Sequence, residues 1–89
     1  MKYTWVFNRK AERDMKALDK STRVRIFAKL RSLSNDPRGH GTLKLSGYSN
    51  MYRTRVGEYR VIFEIHDDEL LVLVVRVGHR AHVYENLPE

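Results

Sequence analysis

The chain has 89 residues, of which 42% are hydrophobic and 31% charged, a composition typical of an ordered globular domain rather than a disordered segment. Lysine and arginine number 17 and aspartate and glutamate 11, which gives a net charge of +6. There is no cysteine, which excludes disulfides, zinc–thiolate sites and cysteine nucleophiles. Residues 1–89 are long enough for one small domain, and the limited core of such a domain argues against a deep enclosed active site.

No apolar run approaches the ~20 residues that span a bilayer, and the start of the chain, residues 1–5, lacks the apolar core of a secretory signal. We therefore expect a cytoplasmic protein that does not associate with membranes. Residues 1–50 carry 12 basic and 4 acidic side chains, whereas residues 51–89 carry 5 basic and 7 acidic ones. This basic excess favours a polyanion as the partner.

The first part of the chain predicts a strand followed by two helices. Aromatic side chains alternate with other residues over 3–7, which predicts a strand with one aromatic face. Asn8 is a suitable N-cap for a first helix, and a break at residues 19–21 precedes a second helix for which Ser21 is a candidate cap. The second helix is expected to end before Pro37, because a residue that precedes proline avoids the helical conformation.

Three strands are predicted after a loop over residues 38–50, at 51–56, 59–66 and 70–77. Gly57-Glu58 suits a two-residue hairpin turn between the first two of them. The fold class is therefore α+β, with the order β-α-α-β-β-β. We predict a small, mostly antiparallel four-stranded sheet with a two-helix hairpin packed on one face.

Arginines gather on one face of the predicted hairpin. The two-residue turn places Arg55 directly opposite Arg60, on the same face as Arg53, and we expect this face to be uncovered while the helices cover the other. Two arginines opposite each other repel by up to ~1 kcal/mol, and a broken local rule of this kind often marks a functional site. The alternative is that Glu58 or Glu64 neutralises the pair and that nothing binds there.

The segment after the last strand adds His79, Arg80, His82 and Tyr84 close to the edge of the sheet. Cleavage of an RNA phosphodiester needs a base for the 2′-hydroxyl, cations for the phosphate and an acid for the departing 5′-oxygen. Histidine, arginine and tyrosine supply proton transfer, phosphate binding and base stacking. The alternative is that these are ordinary surface or anchoring residues. No third ligand is in register with the two histidines, so no metal is expected.

Two stretches, VGEYRVIFEI at 56–65 and VRVGHR at 75–80, resemble the RelE family of bacterial and archaeal toxins, which is part of the RelE/ParE superfamily of type II toxin–antitoxin systems. The resemblance extends over almost the whole chain. It implies a ribosome-dependent messenger RNA endonuclease that cuts the message in the ribosomal A site by attack of a 2′-hydroxyl, and so inhibits translation. It also implies that no metal or other cofactor takes part, and that the partners are messenger RNA, the ribosome and a cognate RelB-like antitoxin.

The resemblance assigns roles to individual residues. Arg53 and Arg55 stand where the family has two basic residues that abstract a proton and stabilise the phosphate. Arg60 matches the arginine that clamps the phosphate, and Arg80 matches a group on the side of the leaving oxygen. Tyr84 matches the tyrosine that stacks on the substrate nucleotide.

The identity of the general base stays open at this stage. The family commonly has lysines at the first two positions, and an arginine is a poor base because its pKa exceeds ~12. Either charge stabilisation carries most of the rate, or a histidine takes the proton, with His82 and His79 as the candidates. The residues expected to bind RNA or the ribosome are Lys44, Arg53, Arg55, Arg60 and Arg80.

Two further functions remain compatible with the sequence. A ParE-like toxin has the same fold but poisons DNA gyrase and cuts no RNA. A non-catalytic RNA-binding or ribosome-binding module would use the same basic face without cleavage.

Overall fold

A computed structural model describes residues 2–85 and Leu87. Its helices and strands follow the chain as β1 (Thr4–Phe7), α1 (Arg9–Lys16), α2 (Lys20–Asn35), β2 (Thr42–Lys44), β3 (Tyr52–Val56), β4 (Tyr59–His66) and β5 (Leu71–His79), with a 3-10 turn at Asp67–Glu69. The strands form one sheet in the order β1-β5-β4-β3-β2. Strand β1 is parallel to β5, and the other neighbours are antiparallel. The predicted α+β class is confirmed.

The predicted number of strands is wrong, because the sheet has five strands instead of four. The additional strand, β2, lies inside the segment 38–50 that was predicted to be a loop. Its residues pair with β3, Thr42 opposite Thr54 and Lys44 opposite Tyr52. Three residues are too few to show an alternating pattern, and Leu43 in the middle of the strand is exposed. The pairing with β3 therefore defines β2.

Each helix begins at a side-chain cap. The Ala11 N–H donates to Asn8 Oδ1 over 2.9 Å, as predicted. Helix α2 is capped by Asp19, which accepts from the Thr22 N–H at 2.9 Å, so the expectation that Ser21 is the cap is wrong. Hydrogen bonds from Thr22 lower the pKa of Asp19. The 16 residues of α2 form the longest helix, and none of the helices in the described part of the chain has the length and apolar character to cross a bilayer.

The two helices cover one face of the sheet. Ala11 and Met15 from α1 and Ile26 and Leu30 from α2 are buried against the strands. The strand residues that complete this main core are Val56, Val61, Phe63, Ile65, Val72, Val74 and Val77. This face matches the one that alternation along the hairpin predicted for the helices.

The opposite face carries a second, smaller core and is not uncovered, which corrects the expectation from the sequence. Met51, Ile62, Val75 and Val83 are buried together there. Val75 lies on this face by its alternation with Leu73, and a bulge in the β4–β5 pairing, between Ile62 and Phe63, returns the following Val77 to the main core. The loop before β3 and the segment after β5 therefore cover part of the face, and a smaller area remains for a site.

A cluster of polar and charged side chains connects three segments that lie far apart in the sequence. The Tyr3 hydroxyl donates to Asp67 Oδ1 over 2.6 Å, and Arg38 donates to both Asp67 carboxylate oxygens, over 2.9 and 3.0 Å. The Arg38 guanidinium also lies 5.5 Å from the centre of the Tyr52 ring. The hydrogen bond to Asp67 raises the pKa of Tyr3, whereas the bonds from Arg38 and Tyr3 lower the pKa of Asp67 to about 2.

Asp67 is expected to make the stability of the protein depend on pH in a defined direction, and its replacement should remove that dependence. Asp67 has an ordinary pKa of about 3.9 in the unfolded chain and about 2 in the folded one. Its contribution is therefore present above about pH 4 and is lost as the pH falls towards 2. We expect Asp67→Asn to have a lower melting temperature than the parent protein at pH 7, and the difference should shrink between pH 4 and pH 2.

Thermal unfolding followed by circular dichroism from pH 2 to pH 7 measures this difference. Asp68→Asn is the matched control, because it removes an exposed carboxylate from the same turn. A gap between Asp67→Asn and the parent protein that stays constant over the whole pH range would contradict the assignment.

Candidate functional site: an arginine-lined cleft

A cleft of about 440 Å³ lies where the β3–β4 hairpin meets the end of β5. The residues that line it are Arg53, Arg55, Arg60, His79, Arg80, Ala81 and Tyr84. Six of the eight residues predicted for the site are thus brought together in one place. His82 and Lys44 are not in this lining. Lys44 instead borders a separate depression with residues of the following loop.

The hairpin register predicted from its two-residue turn is confirmed. Val56 pairs with Tyr59 and Arg55 with Arg60, and Gly57 takes a φ of 59°, in the left-handed region where a glycine avoids the steric cost of a side chain. Arg60 Nη1 donates to the Gly57 and Tyr59 carbonyls over 3.0 and 2.9 Å. Arg60 is therefore half-buried and held against the turn, whereas Arg55 is exposed.

Arg53 occupies a more enclosed position than the sequence predicted. It lines the cleft with a relative exposure of only 9%. Its Nη1 donates to the Gly41 carbonyl over 3.2 Å, and Gly41 directly precedes the edge strand β2. The strand that was missed from the sequence is thus also the reason why Arg53 is buried.

The acidic residues proposed to neutralise the strand arginines have other partners. Glu58 Oε1 lies 3.3 Å from Arg80 Nε, and Glu64 Oε1 lies 2.8 Å from His66 Nε2. Over residues 2–85 and Leu87, no carboxylate oxygen lies within 4.0 Å of the guanidinium groups on β3 and β4. Within the described residues the guanidinium groups of the hairpin therefore line the cleft without an ion-pair partner, while Arg80 at the same cleft is paired with Glu58.

His79 is held in a defined orientation at the end of β5. It pairs with Tyr59 across the sheet, and the two rings meet edge to face with their centres 5.9 Å apart. The Ala81 N–H donates to His79 Nδ1 over 3.1 Å. Since Nδ1 accepts this bond, a neutral His79 carries its proton on Nε2.

His82 and Tyr84 follow in the turn after β5. The His82 ring centre lies 6.3 Å from that of His79, and its Nδ1 is 3.8 Å from Glu85 Oε2. Tyr84 is 42% exposed beside the cleft, while the preceding residue, Val83, is fully buried in the second core. The burial of Val83 thus holds the backbone next to Tyr84 against the sheet.

The cleft combines phosphate-binding groups with a proton donor or acceptor and an aromatic ring. Guanidinium groups bind phosphate oxygens in pairs of parallel hydrogen bonds, and an exposed tyrosine offers a surface for a nucleotide base. Within the part of the chain that the structure describes, no three histidine, aspartate or glutamate side chains come together as metal ligands would.

Two contacts at the site were missed from the sequence, the ion pair between Glu58 and Arg80 and the edge-to-face contact of Tyr59 with His79. Both depend on the register between β4 and β5, which places Tyr59 opposite His79. A long, continuously apolar strand gives no signal for that register. The Gly57-Glu58 turn, in contrast, defined the register of the preceding hairpin.

Comparison with known proteins assigns the chain to a family. Residues 6–84 match the family model described as the ParE toxin of the type II toxin–antitoxin system parDE. The chain is 31% identical to the toxin RelG of Mycobacterium tuberculosis over 86 residues, which are 94% of this chain and 98% of RelG. It is 42% identical to the toxin RelE3 of Methanocaldococcus jannaschii over 45 residues, 51% of this chain and 49% of RelE3. A chain in the crystal structure of the M. tuberculosis toxin–antitoxin complex RelBE2 superimposes with a TM-score of 0.81 at 28% identity, covering 91% of this chain and 94% of that one.

The arginine pair of the hairpin is expected to lower the stability of the protein. Arg55→Glu replaces repulsion across the strand pair by attraction to Arg60, and we expect the free energy of unfolding to rise by a few tenths up to ~1 kcal/mol. Lys44→Glu is the matched control, because it changes the net charge equally at a strand position opposite Tyr52. Urea denaturation at low and high salt measures both variants. An Arg55→Glu variant no more stable than the control at low salt would show that the pair costs nothing.

Proposed function

Because the chain belongs to the RelE family of toxins of toxin–antitoxin systems, we propose that it is an endoribonuclease that cleaves messenger RNA in the A site of the ribosome. The observation that carries this proposal is the cleft itself. Arginines from β3, β4 and the end of β5 converge there with His79 and Tyr84 at its border. This combination suits a phosphodiester flanked by a base better than it suits a protein surface.

The proposed reaction is attack of a ribose 2′-oxygen on the adjacent phosphorus. A bond forms between the 2′-oxygen and phosphorus, the bond from phosphorus to the 5′-oxygen breaks, and the products carry a 2′,3′-cyclic phosphate and a 5′-hydroxyl. Arg55 and Arg60 hold the phosphate oxygens, and Arg80 stabilises charge on the leaving oxygen. Arg53, whose guanidinium donates to the Gly41 carbonyl, supplies a further fixed positive charge in the cleft. Tyr84 stacks on a nucleotide base.

Proton transfer is assigned to His79 in this proposal. An arginine is a poor base, since its pKa is above ~12. His79 lines the cleft, and since its Nε2 already carries a proton, it would take the 2′-hydroxyl proton at Nδ1, in place of the bond from the Ala81 N–H, and pass a proton to the departing 5′-oxygen. His82 is exposed and lies outside the lining, which supports His79 over His82. Charge stabilisation by the arginines then carries most of the rate.

The open form of the cleft fits a site that is completed by a much larger partner. The ribosome would present the message and exclude water, and Lys44 would add an RNA contact at the neighbouring edge strand. Solved relatives from M. tuberculosis and E. coli are described as complexes of a toxin with its antitoxin. We extend this partnership to the present chain, which would act in the cytoplasm and be neutralised by a RelB-like antitoxin.

The match to a ParE family model favours a second candidate function, poisoning of DNA gyrase. A gyrase poison needs no cluster of phosphate-binding and proton-transferring groups in one cleft. The two functions differ in what accumulates on exposure to the protein, cut message in one case and trapped gyrase–DNA complexes in the other.

Removal of single guanidinium groups tests the proposed cleavage. We expect Arg60→Ala and Arg80→Ala each to lower the rate of message cleavage on translating ribosomes by about 100- to 1000-fold, the loss typical for one group that stabilises transition-state charge. Primer extension on the message measures the cut ends, and circular dichroism checks that each variant folds. Arg31→Ala, which removes an exposed arginine of α2 outside the cleft lining, is the control.

The same experiment separates the candidate functions. Intact message with protein bound to ribosomes would replace the nuclease by a binding module. Trapped gyrase–DNA complexes with uncut message would support the ParE-like function. Full activity of both cleft variants would overturn the assignment of the site.

Binding to ribosomes is expected to weaken steeply with salt, because contacts to phosphates release counterions. For one phosphate contact, the slope of log K against log salt concentration changes by about one. We therefore expect Arg55→Gln to reduce the slope by about one relative to the parent protein. Sedimentation of the protein with ribosomes over a range of potassium chloride concentrations measures it. A binding constant that does not change with salt would indicate that the ribosome is contacted through protein.

A further inference from the structure

An ion pair outside the lining of the cleft holds the segment that follows β5. We call residues 80–85 the tail. Arg76 on β5 donates from Nε to Asp14 Oδ2 over 2.9 Å and from Nη1 to the Glu85 carbonyl over 2.7 Å. The side chains of Arg76 and Asp14 are only 13% and 10% exposed. One guanidinium thus joins helix α1 to the last residue of the tail.

The end of β1 explains why Asp14 occupies this position. The β1–β5 pairing finishes at Phe7 opposite Val74, so the later residues of β5 lack a β1 neighbour. The Val77 N–H donates instead to Asp14 Oδ2 over 2.9 Å. Asp14 therefore replaces a missing strand at this edge, and its charge fixes the guanidinium of Arg76 beside the tail.

The tail is held at both of its ends. At the start, the Arg80 N–H donates to the Glu58 carbonyl over 2.8 Å, and in the middle Val83 is buried in the second core. At the end, the bond from Arg76 fixes Glu85, the residue directly after Tyr84. Arg76 and Asp14 do not line the cleft, whereas Tyr84 does. Any effect of the two residues on the site therefore passes through the position of Tyr84.

We propose that Asp14 and Arg76 are positioning residues that hold the tail so that Tyr84 and Ala81 form one wall of the cleft. This inference rests on the proposed function for its effect on cleavage, but its effect on the tail does not. A nearly buried guanidinium that donates to a carboxylate and to a carbonyl makes strong, charge-assisted hydrogen bonds. Loss of Arg76 removes the bond to Glu85 and leaves the tail attached by Val83 and the Glu58 contact.

The variant Arg76→Met tests the proposal, because it keeps an unbranched side chain and removes the guanidinium. Hydrogen exchange of the tail amides, which include those of Val83 and Glu85, should become at least 10-fold faster. Single-turnover cleavage on saturating ribosomes should fall at least 10-fold, while the affinity for ribosomes changes less than twofold. Lys10→Gln is the matched control, because Lys10 also pairs with Asp14, at 3.7 Å, without touching the tail.

A reversible covalent bond tests whether the tail position is the cause. A Cβ at Gly78 would lie 3.5 Å from the Val83 Cβ, within the range of about 3.5–4.5 Å that disulfides need. Since the chain has no cysteine, Gly78→Cys with Val83→Cys can form only one intramolecular pair. Added to Arg76→Met, this pair should restore slow exchange and most of the cleavage rate when oxidised, and dithiothreitol should abolish the rescue.

Each outcome decides the inference. Three results would overturn it. The first is that the tail amides of Arg76→Met exchange no faster than those of the parent protein, and the second is that Arg76→Met cleaves message at the parent rate. The third is that the disulfide slows hydrogen exchange of the tail without restoring cleavage. If Arg76→Met does not fold, Asp14→Asn replaces it, because the amide oxygen can still accept from the Val77 N–H while the charge is lost. If the parent protein cuts no message, the proposed function fails, and unchanged exchange of the tail would still refute the anchor separately.

Discussion

Like charges facing each other across two paired strands dominate the candidate site. The two-residue turn at Gly57 makes Arg55 and Arg60 direct neighbours, and the sheet must hold them there against their repulsion. The helices do so from behind by burying the apolar side of the same hairpin. The carbonyls of the turn accept hydrogen bonds from Arg60, and the carbonyl of Gly41 accepts one from Arg53. Rigid support of this kind allows a small protein to present concentrated positive charge.

The two faces of the sheet have different roles. One face is given to the main core under the helices, whereas the other is shared between a small core and the cleft. Val83 belongs to the small core and Tyr84 to the cleft, so adjacent residues of the tail serve packing and the site. Val83 packs closely against β5, where a Cβ at Gly78 would lie in van der Waals contact with it. Stability and the form of the cleft are therefore coupled through one short segment.

Local signals in the sequence predicted the features that depend on near neighbours. The helices were predicted from the cap at Asn8, the break at residues 19–21 and Pro37, and the hairpin from its turn, which also predicted which arginines face each other. The strand β2 was missed, because three residues show no period and only the partner strand defines them. The burial of Arg53 was missed for the same reason, since Arg53 donates to Gly41, the residue directly before that strand. Asp14 and Arg76 are 62 positions apart, and only the folded sheet brings them together.

The parallel pairing of β1 with β5 joins the beginning of the chain to its far end. During synthesis β1 emerges early, but its partner strand appears only after the rest of the sheet has been made. Contacts of such long sequence separation form late in folding, because a large loop must close first. One wall of the cleft comes from a segment that is synthesised even later, because Arg80 and Tyr84 follow β5 in the chain. A nascent polypeptide therefore carries no assembled cleft while residues 80–85 are still to be added.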